Sequence, residues 1–456
     1  MASRAARPTN IKELWRAKLR TPRTVTLKSP QFVNILYVTA TLPYDSGEAF
    51  LIPEVKELVR RGCDVRIVPR SPKYRLVHDD AAELMDRSIA RPLLGWDVLL
   101  AAAKELVVRP RGALHALVTL LSHGDWKTRL KNLAVYPKGL WLAAMARNWQ
   151  ADHIHVHWLS TPATIGLVAS IASGTPWSCT AHRADINLNN LLQVKLRHAD
   201  IVRFISKSGL RMAESLGVKV DRWNSAVIHV GVSIPPLPEI PSRPNRAVTI
   251  LCPANLYPVK GHKYLLGAMA LLRAQAIDCK LLLAGDGGLR SALEAQSKSL
   301  GLTEMVQFLG QRSHSEILAM YRNGLVDLVV LPSVDLGDNL HEGIPVALME
   351  AMSYAIPVVA TRTGGIPELL DGSTGLLVPD KSPPELADAI KRLIIAPDLR
   401  KTIGLQGRQR VCESFSVEAV VSQLLDRIAH APESVGETTA RECATISDGK
   451  KGTGNA

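Results

Sequence analysis

Short apolar runs alternate along the chain with longer stretches whose apolar residues recur at helical spacing, a rhythm that predicts an α/β fold. Residues 32–39 predict a strand, followed by a loop and a helix from about Glu48 to Arg61. Gly62 stops that helix and residues 64–69 predict the next strand, so the order is that of a doubly wound sheet. Further strands are expected at 154–158, 177–180, 201–205 and 226–230, with a mostly helical insertion at about 81–150. Five prolines between Pro235 and Pro244 cannot join a helix or a central strand and read as a linker over 235–245. After it the pattern restarts, with a strand at 248–253, a helix at about 262–274 and a strand at 280–284. Shorter strands follow near Val306, at 328–332 and at 357–360.

The expected organisation is therefore a basic arm (1–30), a first Rossmann-like domain (31–234), the linker and a second domain (246–410). A helix over 411–432 can cross back to the first domain, and a Gly/Ser/Thr/Lys-rich tail (433–456) is expected to be disordered. No apolar run reaches the ~18–20 residues of a membrane span, and the first thirty residues lack the apolar centre of a signal peptide. The six cysteines form no C-x-x-C pair, which fits a reduced, cytoplasmic chain without a zinc site. The net charge of +13 is concentrated in the arm and in 87–147, a stretch that also carries Trp96, Trp126 and Trp141. Besides an ordinary solvated surface, this pattern fits an anionic membrane face better than nucleic acid, since no nucleic-acid-binding motif accompanies it.

Candidate chemistry is densest at 332–379. A strand ends at Pro332, an acid- and amide-rich loop follows, and a helix begins with Pro345 near its first turn. The unpaired amides around Gly343, Ile344, Val346 and Ala347 predict an anion site, and Gly343 allows close approach of a phosphate. Glu342 at its mouth and Glu350 further along repel phosphate, so they are expected to contact sugar hydroxyls; two incidental glutamates on a helix would give the same E-x7-E spacing.

The string E-G-I-P-V-A-L-M-E-A-M with A-I-P-V-V-A-T and G-G-I-P-E-L resembles the retaining glycosyltransferase family 4, most closely its bacterial colanic acid and exopolysaccharide branch, over about residues 33–425. The resemblance implies a GT-B fold, two Rossmann-like domains facing each other across a cleft. It places Glu350 on the donor ribose and Glu342 near the transferred sugar. The segment T-A-H-R-A-D-I is similar to the one whose histidine meets the donor sugar across the cleft, here His182. The turn at Gly285 borders the donor pocket in such enzymes. Lys260 falls where the family has a lysine on the diphosphate, while Asn255 stands in place of the usual arginine and carries no charge. The loop with Gly47 and Glu48 is where the family places the acceptor, although Glu48 serves equally as a negative charge at a helix start. His153, His155 and His157 share one strand face; a metal site is conceivable, but alternation on a buried strand without an acidic ligand at hand favours a non-metal row.

Together these features predict a retaining hexosyl-type transferase. It would take a nucleotide-diphosphate sugar as donor and a saccharide or lipid-linked saccharide as acceptor, in exopolysaccharide or cell-surface glycan synthesis, and it would need no cofactor or metal. Its expected location is cytoplasmic, peripheral on the inner face of the membrane. A non-catalytic nucleotide-binding GT-B subunit and a nucleotide-sugar epimerase are the alternatives, the first motivated by Asn255.

Overall fold

The computed structural model describes residues 33–430 apart from 45, 73–78 and 238–245. The basic arm, most of the proline-rich linker and the C-terminal tail lie outside the described residues.

Two six-stranded parallel sheets form the framework. The first contains β1 (Asn34–Thr39), β2 (Asp64–Pro69), β3 (His153–His157), β4 (Trp177–Ala181), β5 (Ile201–Phe204) and β6 (Ser225–Val227). Their spatial order is β2-β1-β3-β4-β5-β6. The second contains β7 (Val248–Pro253), β8 (Cys279–Ala284), β9 (Val306–Gly310), β10 (Leu328–Leu331), β11 (Val358–Thr361) and β12 (Leu376–Val378), in the order β12-β11-β10-β7-β8-β9. Strands such as β10 and β11 are buried at every position, as parallel strands covered on both faces must be.

The two orders fix where ligands belong. In the second sheet the winding reverses between β7 and β10; in the first it reverses between β1 and β3. Loops at the carboxyl ends of strands diverge at such a point and leave a crevice. Four loops are thereby singled out, those after β1, β3, β7 and β10.

The expected helix at Glu48 begins differently from the prediction. Ser46–Leu51 forms a 3-10 turn with a non-helical Glu48, and the α-helix proper is Ile52–Arg60. Pro53 at its start suits the first turn, where no amide hydrogen is needed. The 81–150 region folds as a 3-10 stretch, Asp79–Arg87, and three helices, Trp96–Val108, Pro110–Leu121 and Trp126–Asn148.

The chain passes between the sheets twice, side by side. Val232 and Ser416 form a parallel bridge, and a Cβ on Gly231 would lie 2.7 Å from the Val417 Cα, so glycine permits the close approach. Beyond this crossing the helix Val417–Ala429 returns to the first sheet. There Val417, Val421 and Leu425 pack with Ile35, Leu51, Val55 and Leu58, and Arg61 donates to Ser422 Oγ and Glu418 O.

Candidate active site between the two sheets

The crevice at the carboxyl edge of the second sheet is assembled by close backbone contacts that only glycine tolerates. A Cβ on Gly261, at φ +67°, would lie 1.9 Å from Pro332 O, so the loops after β7 and β10 press together. A Cβ on Gly364, at φ +51°, would lie 1.8 Å from Glu342 O. The G-G of G-G-I-P-E therefore serves as the floor on which the Glu342–Gly343 turn rests. Gly285 meets Ala254 O in the same way. At Gly343, in contrast, a Cβ would meet nothing within 4 Å, so that backbone faces open space.

The helix beyond it is Val346–Ser353, with Pro345 as its N-cap. The amides of Leu348 and Met349 turn back to Pro345 O, whereas those of Gly343, Ile344, Val346 and Ala347 donate to no other group among the described residues. Such donors favour an anion by ~0.3–1 kcal/mol, more when partly buried. Lys260, on the short turn Pro258–Lys260 after β7, puts Nζ 2.5 Å from Glu342 Oε2. Glu342 also receives Ser333 Oγ at 3.4 Å. Asn255 is exposed at the mouth of the β7 loop, and its side chain makes no hydrogen bond among the described residues. Glu350, one turn into the helix, binds His314 Nε2 at 2.6 Å; that hydrogen bond, outweighing desolvation, raises the imidazole pKa. His314 was missed by the sequence reading, which had no local signal for it.

The facing side is built at the carboxyl ends of β1, β3 and β4. His182 follows β4 and caps the short helix Arg183–Leu188. Its ring stacks on Trp158 with centroids 4.3 Å apart, and its Nε2 lies 2.8 Å from His157 Nε2. Burial, the largest cause, pushes its pKa down to about 3, so it is neutral near pH 7. The next residue, Arg183, donates to Asn339 O and thereby ties the His182 loop to the loop that carries Glu342. A second tie comes from Glu368, whose carboxylate accepts the Lys207 and Ser208 amides at 2.8 Å each, at the start of helix Lys207–Ser215. Both cross-cleft ties escaped sequence reading, because each joins residues about 160 positions apart.

Glu48 departs from both sequence readings. It is 2% exposed, and its carboxylate accepts the amides of Ala40, Thr41 and Leu42, the Thr41 hydroxyl and the Trp158 indole N–H. An anion with five donors has no capacity left for an acceptor sugar, and it lies in the first turn of the 3-10 stretch, ahead of the α-helix that begins at Ile52. Its role is to fasten the loop after β1 to the residue after β3. Gly47 stands at the lip of this loop with open space where a Cβ would be.

The histidine row on β3 requires a second correction. The fold brings an acidic residue, Glu54, to within 4.8 Å of ligand atoms of His155 and His157. These atoms are not available to a cation, however. Glu54 is held by Arg203 Nη1 at 2.7 Å and by Tyr37 Oη at 2.7 Å, so a guanidinium already occupies the place of a metal. His153 and His155 share Ser178 Oγ, each at 2.7 Å. Two buried lysines complete the scaffold: Lys138 Nζ donates to Pro69 O, Arg70 O and Arg91 O, and Lys195 Nζ to Leu159 O and Ser160 O. Each pins a loop at the carboxyl edge of the sheet, at the cost of a pKa pushed down to about 7, chiefly by burial.

Two Rossmann-like sheets with facing loops at their switch points define the GT-B fold. Residues 235–410 match the family described as glycosyl transferases group 1. The chain is 35% identical over 166 residues to an alpha-D-kanosaminyltransferase of Streptomyces kanamyceticus, covering 36% of this chain and 41% of that protein. It is 32% identical over 183 residues to a putative colanic acid biosynthesis glycosyltransferase of Salmonella typhimurium, covering 40% of this chain and 45% of the relative. The chain thus spans less than half the length of these curated relatives. In fold it is similar to Anabaena Alr3699/HepE, solved in complex with UDP-glucose. The TM-score is 0.62 at 18% identity, over 87% of this chain and 99% of that one.

Proposed function

We propose that this chain is a retaining glycosyltransferase that moves a sugar from a nucleotide-diphosphate sugar to a saccharide hydroxyl, in exopolysaccharide or cell-surface glycan synthesis. The observation that carries the reading is the pairing of Lys260 and Glu342 beside the unpaired amides of Gly343 to Ala347, with His182 tethered to the same loop through Arg183 and Asn339. The amides and Lys260 receive the diphosphate, Glu350 the ribose, and Glu342 and His182 the sugar. The sugar–phosphate C–O bond breaks as the acceptor oxygen bonds to the same carbon, and the acceptor's proton passes to the leaving diphosphate. The protein contributes position and electrostatic stabilisation of that leaving group. No metal is needed in this reading, since Lys260 and the amides supply the positive potential.

Relatives named for transfer of sugars and for colanic acid synthesis support the reaction class and the pathway. The test is a panel of UDP-, GDP-, ADP- and TDP-sugars, read by thermal shift and by product analysis with saccharide acceptors. One donor at 100 times its dissociation constant is expected to add about 2.7 kcal/mol of stability, and transfer is expected with that donor. An epimerised donor, or binding without any transfer or hydrolysis, would overturn the proposal.

The reading includes work at the anionic inner face of a membrane, on a lipid-linked acceptor. Among the described residues no helix is long and apolar enough to cross a membrane. On the helical region of the first domain, however, Trp96, Val107 and Trp126 are 81%, 80% and 68% exposed, and Lys104, Arg109, Arg111, Lys127, Arg129 and Lys131 are exposed around them. Apolar side chains rimmed by cations suit the headgroup layer, with each cation worth ~1 kcal/mol. Sedimentation with anionic vesicles is expected to carry the protein down and to weaken with salt. Equal recovery in the supernatant with neutral and anionic vesicles at low salt would remove the membrane from the proposal.

A further inference from the structure

Behind His182 runs a buried chain of side chains whose proton order follows from its far end. Glu54 has both oxygens engaged, Oε2 by Arg203 Nη1 at 2.7 Å and Oε1 by Tyr37 Oη at 2.7 Å. Burial pulls its pKa up, but Arg203, His155 and the Tyr37 hydroxyl together leave it below the usual carboxylate value, so it is an anion that only accepts. Burial first, and then Glu54, raises the Tyr37 pKa well above its ordinary value, and its single proton is spent on Glu54. Toward His157 Nδ1, 3.2 Å away, the Tyr37 oxygen therefore offers only a lone pair. His157 must carry its proton on Nδ1. It is fully buried and neutral, so its Nε2 is bare and accepts from His182 Nε2 at 2.8 Å. The proton of His182 is thus on Nε2, and its Nδ1 is left as a lone pair with no partner among the described residues. Stacking on Trp158 and edge contact with Phe50 at 5.8 Å hold the ring in that orientation.

We propose that Glu54, Tyr37 and His157 are positioning residues that lock His182 in its Nε2–H tautomer, so that it meets the donor sugar solely as a hydrogen-bond acceptor and selects a sugar with a hydroxyl at the facing position. A uronic acid carboxylate there has no proton to give and would meet the Nδ1 lone pair unpaired. A site built to bond a hydroxyl discriminates strongly against a group that cannot supply the bond. The assignment of a sugar to His182 rests on the glycosyl-transfer reading; the tautomer does not.

The experiment therefore begins with the free, full-length protein, labelled with 15N at histidine, with His182 assigned from the resonances lost in His182→Gln. Nε2 of His182 is expected to be protonated and Nδ1 to be bare. Tyr37→Phe removes the acceptor of the His157 Nδ1 proton at almost unchanged volume, and both His182 tautomers are then expected to populate. With the donor found active, Tyr37→Phe is expected to lower kcat about twofold, in proportion to the fraction of His182 that leaves the Nε2–H tautomer, without changing affinity for the free nucleoside diphosphate. In a His182→Ala background the same substitution is expected to cost nothing further. A proton on Nδ1 of His182 in the parent overturns the proposal, as do equal losses from Tyr37→Phe in both backgrounds. Absence of any transfer by the parent would defeat the enzymatic reading and leave the tautomer to be decided by the spectrum.

Discussion

Lys260 Nζ lies 2.5 Å from Glu342 Oε2, an ion pair between the loop after β7 and the loop after β10 that spans the switch point of the second sheet. Both side chains are about one-fifth exposed, so in the proposed function an incoming diphosphate would compete with Glu342 for the lysine. Glu342→Gln is expected to release Lys260 and tighten free nucleoside diphosphate several-fold while transfer falls at least tenfold. Lys260→Ala is expected to reduce diphosphate binding by tenfold or more. Titration calorimetry and initial rates check both; weaker nucleotide binding by Glu342→Gln would show that the pair does not hold the lysine back.

Glu350 joins His314 to the helix behind the turn at residues 343–347. Glu350→Gln keeps the shape and exchanges a charged acceptor for a neutral one, a difference of ~1.4 kcal/mol or about tenfold. Nucleotide affinity is expected to fall by that factor, with the thermal midpoint little changed. The His314 pKa, raised first by this hydrogen bond, is expected to drop, as a histidine NMR titration would report. Unaltered affinity would remove Glu350 from the ribose.

Asn255 is exposed in the loop after β7 and its side chain is unbonded among the described residues, so an arginine there has room and no partner to displace. Asn255→Arg is expected to tighten nucleoside diphosphate by about tenfold, the step from a neutral to a charged contact. Isothermal titration at two ionic strengths checks it, because only a charged gain weakens with salt.

Acid stability should report on the buried histidines. Burial, the largest cause in each case, pushes His153 and His182 down to about 3 and His155 to about 4. The unfolded chain takes up these protons near pH 6.5, whereas the folded protein refuses them until pH 3–4. Stability therefore falls as pH drops through this window, by roughly 1.4 kcal/mol per pH unit for each such histidine. His153→Gln is expected to move the acid-unfolding midpoint to lower pH, as followed by circular dichroism; an unchanged midpoint would mean that His153 is protonated in the folded state.

The sequence by itself determined the succession of strands and helices in both halves and the loop and helix that carry Glu342 and Glu350. These features are local: apolar runs mark parallel strands buried on both faces, and an anion-binding turn needs only a few consecutive residues. What only the tertiary structure decided is which distant side chains meet. Glu48 looked like a helix-start charge or an acceptor contact and became the clasp of the β1 loop, because the turn around it is 3-10 and the Ala40, Thr41 and Leu42 amides converge on it. Asp152, the acidic neighbour of the β3 histidines in sequence, accepts the Asn34 amide instead, and Glu54 reached them from the helix Ile52–Arg60, where Tyr37 of β1 bonds it. Arg203, 149 positions from Glu54, completed that cluster from β5. Parallel strands bring their carboxyl ends to one edge whatever their separation along the chain, so the strand order chooses the partners of each charged group, and local periodicity carries no record of that order.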